Sequence, residues 1–90
     1  MLLVGGPASR ELARETAAIL GCRFGEVEAK QCPDGESYVR LTGNVQGEHV
    51  AIVQSTGPPQ DSSLLQLFLL VDAAVRHGAS QVTAVTPYLA

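Results

Sequence analysis

His49-Val50-Ala51-Ile52-Val53-Gln54 places four apolar residues in a row between polar ends. A strand with one wet face alternates apolar and polar residues. A near-continuous apolar run instead marks a strand covered on both faces, as parallel sheets require. Leu2-Leu3-Val4 is a shorter run of the same kind, ended by Gly5-Gly6-Pro7, so it reads as a buried strand followed by a tight turn. Between these two strands the spacing predicts a helix from Arg10 to Leu20. Ser9 is its N-cap, Leu12, Ala13, Thr16, Ala17 and Leu20 form its apolar side, and Gly21 closes it.

Residues Phe24 to Lys30 alternate weakly and predict a partly exposed strand. Ser37 to Leu41 predicts another, with Val39 and Leu41 on one face. Thr42 to Glu48 is a turn-rich connection. After the His49 strand, Ser55-Thr56-Gly57-Pro58-Pro59-Gln60-Asp61 reads as a loop, with Ser62 or Ser63 capping a helix that runs to His77 and stops at Gly78. Leu64, Leu65, Leu67, Phe68, Leu69, Leu70, Val71, Ala73, Ala74 and Val75 go nearly all the way round that helix, which predicts neighbours on more than one side. Asp72 and Arg76, four apart, mark its solvent edge. Gln81 to Thr86 is the last strand.

The predicted order is β-α-β-β-β-α-β. Strands separated by helices imply an α/β fold: a mostly parallel sheet with right-handed crossovers, flanking helices and a short antiparallel hairpin element. A further helix is expected to cover the open face, and the sequence to Ala90 does not supply it. Residues 1–90 therefore read as one incomplete, truncated domain.

Composition narrows the function classes. The chain has 90 residues and 46% hydrophobic content, enough for a small globular core and too apolar for disorder. Its net charge of -3, with scattered Lys and Arg, argues against a nucleic-acid partner, because phosphate binding needs a basic surface. The longest apolar stretch, Leu64 to Val71, is far short of the ~20 residues of a membrane span. No targeting signal is recognisable, so the expected location is cytoplasmic. Cys22 and Cys32 lack metal-ligand spacing and read as free thiols.

Three segments carry candidate chemistry. Gly5-Gly6-Pro7-Ala8-Ser9 is a glycine-rich strand-to-helix turn, but it matches neither the dinucleotide nor the P-loop pattern, and Pro7 removes an amide donor. A structural turn is the better reading. Gln54-Ser55-Thr56-Gly57-Pro58-Pro59 follows a buried strand at the edge where open α/β sheets bind ligands. Its hydroxyls either line a site or cap and turn the chain. Cys32-Pro33-Asp34-Gly35-Glu36 enters the Ser37 strand through a Pro-Asp-Gly turn. Asp34 and Glu36 are two carboxylates on a rigid turn, and an ionised carboxylate accepts hydrogen bonds only, which suits it to an exocyclic amine such as adenine's. On the turn alone, the structural reading is the stronger. His49 and His77 form no Ser/His/Asp or Cys/His arrangement and read as structural.

The order of these motifs resembles the ribose-phosphate pyrophosphokinases (PRPP synthases), in the first part of their N-terminal domain. The resemblance rests on Pro33-Asp34-Gly35-Glu36-Ser37-Tyr38-Val39-Arg40, then Val53-Gln54-Ser55-Thr56 with Pro58-Pro59, then Val71-Asp72-Ala73, then Val82-Thr83-Ala84-Val85-Thr86-Pro87-Tyr88. It implies a phosphoribosyltransferase-like fold and a kinase-type transferase that moves pyrophosphate from ATP to ribose 5-phosphate, with Mg2+, in nucleotide biosynthesis. It further implies a homo-oligomer, dimers within a hexamer, in which a loop of one subunit helps to bind adenine in another. Asp34 and Glu36 fall at the adenine-contacting positions of that loop.

Departures from the family pattern have consequences. Cys32 stands where the family usually has the phenylalanine that stacks on adenine. Asp61-Ser62-Ser63 replaces an Asn-Asp-Asn run, and Gln66 a common glutamate. The family's ATP-contacting arginine, metal-binding histidine, catalytic loop and ribose-phosphate loop lie beyond Ala90. The resemblance therefore places no catalytic residue and no metal ligand on this chain, and implies that the 90 residues alone are inactive. The alternative is a non-catalytic, regulatory or associated homologue that acts through subunit contacts.

Overall fold

The computed structural model describes residues 1–31, 33, 37–57 and 60–87, with the side chains of residues 31, 37 and 38 left aside. Its elements run β1 (Leu2–Gly5), a 3-10 turn (Pro7–Ser9), α1 (Arg10–Leu20), β2 (Arg23–Gly25), β3 (Val27–Gln31), β4 (Ser37–Leu41), β5 (His49–Val53), α2 (Gln60–Arg76) and β6 (Gln81–Val85). β2, β1, β5 and β6 form a parallel sheet in that order, and β3 pairs with β4 as a separate antiparallel hairpin.

The buried strands divide their side chains between two helices, as period two demands. Leu2, Val4, Val50 and Ile52 face α2, where they meet Leu67, Leu70 and Ala74, with Val39 and Leu41 of the hairpin and Val45 of the connection. Leu3, Ala51 and Val53 face α1, where they meet Ala13 and Ala17. β1 connects to β2 and β5 to β6 in opposite directions along the sheet, so right-handed crossovers put α1 and α2 on opposite faces.

α1 differs from its predicted apolar side. Ala13 and Ala17 are fully buried, whereas Leu12 and Leu20 are exposed. The small residues take the contact because the helix lies close to the sheet: a Cβ on Gly5 would fall 2.8 Å from the Ala13 Cβ. Gly21 ends α1 at φ 72°, a left-handed conformation that only glycine adopts without strain, and Cys22 N–H donates to Ala17 O. Cys22 is a free thiol.

The predicted strand over Phe24 to Lys30 is two strands with a break at Glu26. The Glu26 carbonyl accepts from both the amide (3.4 Å) and the hydroxyl (2.9 Å) of Thr42, and its carboxylate takes a two-pronged bond from Arg10 Nη2 at 2.9 and 3.0 Å. β2 therefore stays in the parallel sheet while β3 turns away to pair with β4. α2 begins at Gln60, ahead of the serines expected to cap it, and Ser63 is buried within its first turn. It ends at Arg76, and the Arg76–Asp72 pair lies at its exposed edge at 3.6 Å. Beyond α1 the same sheet face is open: Leu3, Leu20, Ala51, Val53 and Val85 line a groove of about 300 Å³.

Candidate functional site

In open α/β sheets, ligands enter at the carboxyl ends of neighbouring strands whose connections leave in opposite directions. In this fold those strands are β1 and β5. Their carboxyl ends carry Gly6-Pro7-Ala8-Ser9 and Gln54-Ser55-Thr56, two of the three segments with candidate chemistry.

The chain closes this crevice with its own side chains. Gln54 is fully buried; its Oε1 accepts from Ala8 N–H at 3.1 Å, and its Nε2 donates to Gln66 Oε1 at 3.1 Å and Ser63 O at 3.3 Å. The amide of Gly6 donates to Val53 O and that of Ser9 to Gly6 O. Pro7 has no amide hydrogen. Each backbone donor from Gly6 to Ser9 is thus either engaged or absent, and the turn's amides offer no phosphate cradle. Ser9 was expected as an N-cap. Its hydroxyl instead accepts from Ser55 N–H at 2.9 Å and makes no capping bond. Gln54 through its side chain and Ser55 through its backbone amide tie the β1 turn to the end of β5. Gln54's role was missed in the sequence; the signal was a polar residue extending an apolar strand.

The third segment sits on the hairpin. β3 and β4 pair from Val27↔Leu41 to Gln31↔Ser37, so residues 32–36 connect the two strands at the end away from Glu26. Val39 and Leu41 are buried in the core shared with α2, and on the exposed side Arg40 meets Glu28 at 2.7 Å. The hairpin is therefore held from one face and braced at its base. Asp34, Glu36 and Cys32 lie outside the described residues.

The remaining candidates are structural. His49 Nε2 lies 3.0 Å from Thr83 Oγ1, a contact between β5 and β6, and His77 is exposed in the turn after α2. Among the described residues no three His, Cys, Asp or Glu side chains gather into a cation site. No described helix is long and apolar enough to cross a membrane.

The family model for the N-terminal domain of ribose phosphate pyrophosphokinase matches residues 1–90. The chain belongs to the ribose-phosphate pyrophosphokinase family. A ribose-phosphate pyrophosphokinase of Saccharolobus solfataricus is 40% identical over 90 residues, which is all of this chain and 31% of that protein. A chloroplastic ribose-phosphate pyrophosphokinase 2 of Spinacia oleracea is 42% identical over 86 residues, 96% of this chain and 22% of that protein. The chain thus spans about a third or less of the length of these relatives.

Solved structures agree on the fold. The phosphoribosylpyrophosphate synthetase of Mycobacterium smegmatis superposes with a TM-score of 0.84 at 32% identity, covering 96% of this chain and 29% of that one. A purine phosphoribosyltransferase of Pyrococcus horikoshii superposes with a TM-score of 0.68 at 16% identity, covering 99% and 68%, a likeness of fold alone. The mixed α/β architecture with its appended hairpin is that of the ribose-phosphate pyrophosphokinase N-terminal domain.

Proposed function

We propose that this chain is the N-terminal part of an enzyme that transfers pyrophosphate from ATP to ribose 5-phosphate, and that its β3–β4 hairpin carries the adenine-reading loop. The observation that carries the reading is the family match over residues 1–90. It supports a reaction in which the sugar's anomeric hydroxyl attacks the β-phosphorus and AMP leaves. Such transfers depend chiefly on positioning and charge stabilisation.

This chain's part is positioning. Asp34 and Glu36, as ionised carboxylates, accept hydrogen bonds from the adenine amino group. The core contacts of Val39 and Leu41 and the Glu26 brace keep the loop's support rigid. Mg2+ supplies charge neutralisation at the phosphates when bound. By the family resemblance, the residues that would hold it lie outside this chain. Catalytic groups likewise belong elsewhere, and the 90 residues alone are inactive. The complete enzyme works in the cytoplasm as a homo-oligomer of dimers within a hexamer, where the hairpin of one subunit reaches the nucleotide of another.

A second reading has one observation in its favour. Residue 32 is a cysteine where the resemblance implies the family's stacking phenylalanine, and base–aromatic stacking contributes ~1–3 kcal/mol per base. Its loss suits a non-catalytic homologue that acts through subunit contacts.

A chimaera separates the two readings. This chain replaces the matching segment of the Saccharolobus solfataricus enzyme, and AMP release is measured with ATP, ribose 5-phosphate and Mg2+. Asp34→Asn with Glu36→Gln is expected to raise the KM for ATP by roughly ten-fold or more while leaving that for ribose 5-phosphate unchanged. Cys32→Phe is expected to lower the KM for ATP. A folded chimaera without turnover favours the non-catalytic reading.

A further inference from the structure

The chain changes sheets at one residue. β2 pairs with β1 in the parallel sheet, β3 pairs with β4, and Glu26 alone lies between β2 and β3. Glu26 enters the hairpin and Thr42 leaves it, and the Glu26 carbonyl accepts from both the amide and the hydroxyl of Thr42. The two ends of the hairpin are thus stapled at a single point.

Arg10 ties that point to α1. Its Nη2 donates to Glu26 Oε1 and Oε2 at 2.9 and 3.0 Å, and its Nε to Oε2 at 3.4 Å. Nη1 donates to Glu11 at 3.0 Å, and the guanidinium lies 5.9 Å from the centre of the Phe24 ring, within cation–π range. Glu11, Glu26 and Phe24 together hold the guanidinium in one place.

Stability does not account for this clasp. Both side chains are half exposed, and an ion pair in that setting contributes little to folding. Arg10 also opens α1, where the helix dipole disfavours a cation. What the clasp supplies is direction. The contact of Val39 and Leu41 with α2 is apolar and therefore non-directional; it buries one face of the hairpin without setting its angle. The five residues of β3 reach about 17 Å from Glu26, at ~3.3 Å each. A rotation of roughly 10° at the pivot moves the far end by about 3 Å, a whole hydrogen-bond length.

We infer that Arg10 is a positioning residue: through Glu26 it sets the angle at which the hairpin presents the loop between β3 and β4, and with it the affinity for nucleotide. The inference rests on the proposed adenine-reading role of that loop, and the experiment separates the two.

Arg10→Ala, Glu26→Gln and the reciprocal swap of Arg10→Glu with Glu26→Arg are made in this chain and in its chimaera with the Saccharolobus solfataricus enzyme. Urea unfolding of the chain is expected to give nearly the wild-type midpoint for every variant. Amide hydrogen exchange in β3 and β4 is expected to quicken roughly three-fold in each single variant, with β1 and β5 unmoved. In the chimaera the KM for ATP is expected to rise roughly three-fold, with kcat and the KM for ribose 5-phosphate unchanged. The swap is expected to recover most of both effects. Hairpin exchange that stays at the wild-type rate, or that quickens equally in β1 and β5, overturns the inference. So does a KM for ATP that ignores Arg10 and Glu26 yet rises with Asp34→Asn and Glu36→Gln. A KM for ATP that ignores all four positions brings down the adenine reading and, with it, the nucleotide role of Arg10.

Discussion

Gly6 and Gln54 share a space that holds only one side chain. A Cβ on Gly6 would fall 2.2 Å from Gln54 Oε1, inside the volume the glutamine fills. The glycine-rich turn therefore makes room for the side chain that follows β5, and that side chain fills the space between the turn and the strand end.

This contact predicts a coupling between the two positions. Gly6→Ala must push the buried amide of Gln54 from its partners, at a cost of about 1–3 kcal/mol. Gln54→Ala removes the obstacle as well as the hydrogen bonds, so Gly6→Ala should cost much less in that background. Urea unfolding of the four proteins measures the cycle. An equal cost in both backgrounds contradicts the contact.

The two helices should respond differently to truncation. Leu70 of α2 is fully buried in the core, and Leu70→Ala is expected to cost ~2–5 kcal/mol. Ile19 of α1 is 84% exposed, and Ile19→Ala should stay within about 0.5 kcal/mol of wild type. Thermal unfolding followed by circular dichroism separates the outcomes, and a large loss from Ile19→Ala contradicts the placement of α1.

On the outer face of α1, Arg14 donates to Glu11 at 2.8 Å. Its hydrogen bond first, and its charge second, hold the Glu11 carboxyl below the usual carboxylate range. The folded value lies below the unfolded one. The resulting stabilisation is therefore present above the ordinary glutamate pKa and is lost as pH falls through the lowered value. Both side chains are exposed, so the expected signature is local. Arg14→Ala should shift the Glu11 titration upward in a side-chain carboxyl NMR experiment, and an unmoved titration contradicts the pairing.

The sheet was legible because its signal is periodic. Leu2, Val4, Val50 and Ile52 against Leu3, Ala51 and Val53 is an alternation that burial on both faces makes continuous. The hairpin was legible from Val39 and Leu41 on one face. What escaped the sequence depends on distant partners. Ser9 has the chemistry of an N-cap, yet its hydroxyl serves Ser55, 46 residues away. Glu26 breaks a strand because of Thr42 and Arg10, neither of which is near it in sequence. Leu12 and Leu20 look like core positions, but the close approach of α1 leaves the contact to Ala13 and Ala17. For the proposed site, residue types and motif order point to Asp34 and Glu36, which lie outside the described residues; the fold itself shows only the β3–β4 hairpin, packed against α2 and braced at its base.

The most direct measurement of the central claim is AMP release in two samples: the isolated 90-residue chain, and the same chain joined to the remainder of the Saccharolobus solfataricus enzyme. With ATP, ribose 5-phosphate and Mg2+, the isolated chain is expected to release no AMP above a no-protein control. The chimaera is expected to release AMP in a ribose 5-phosphate-dependent way, with a KM for ATP that rises when Asp34 and Glu36 are neutralised. Turnover by the isolated chain, or a chimaera whose KM for ATP ignores both carboxylates, would contradict that claim.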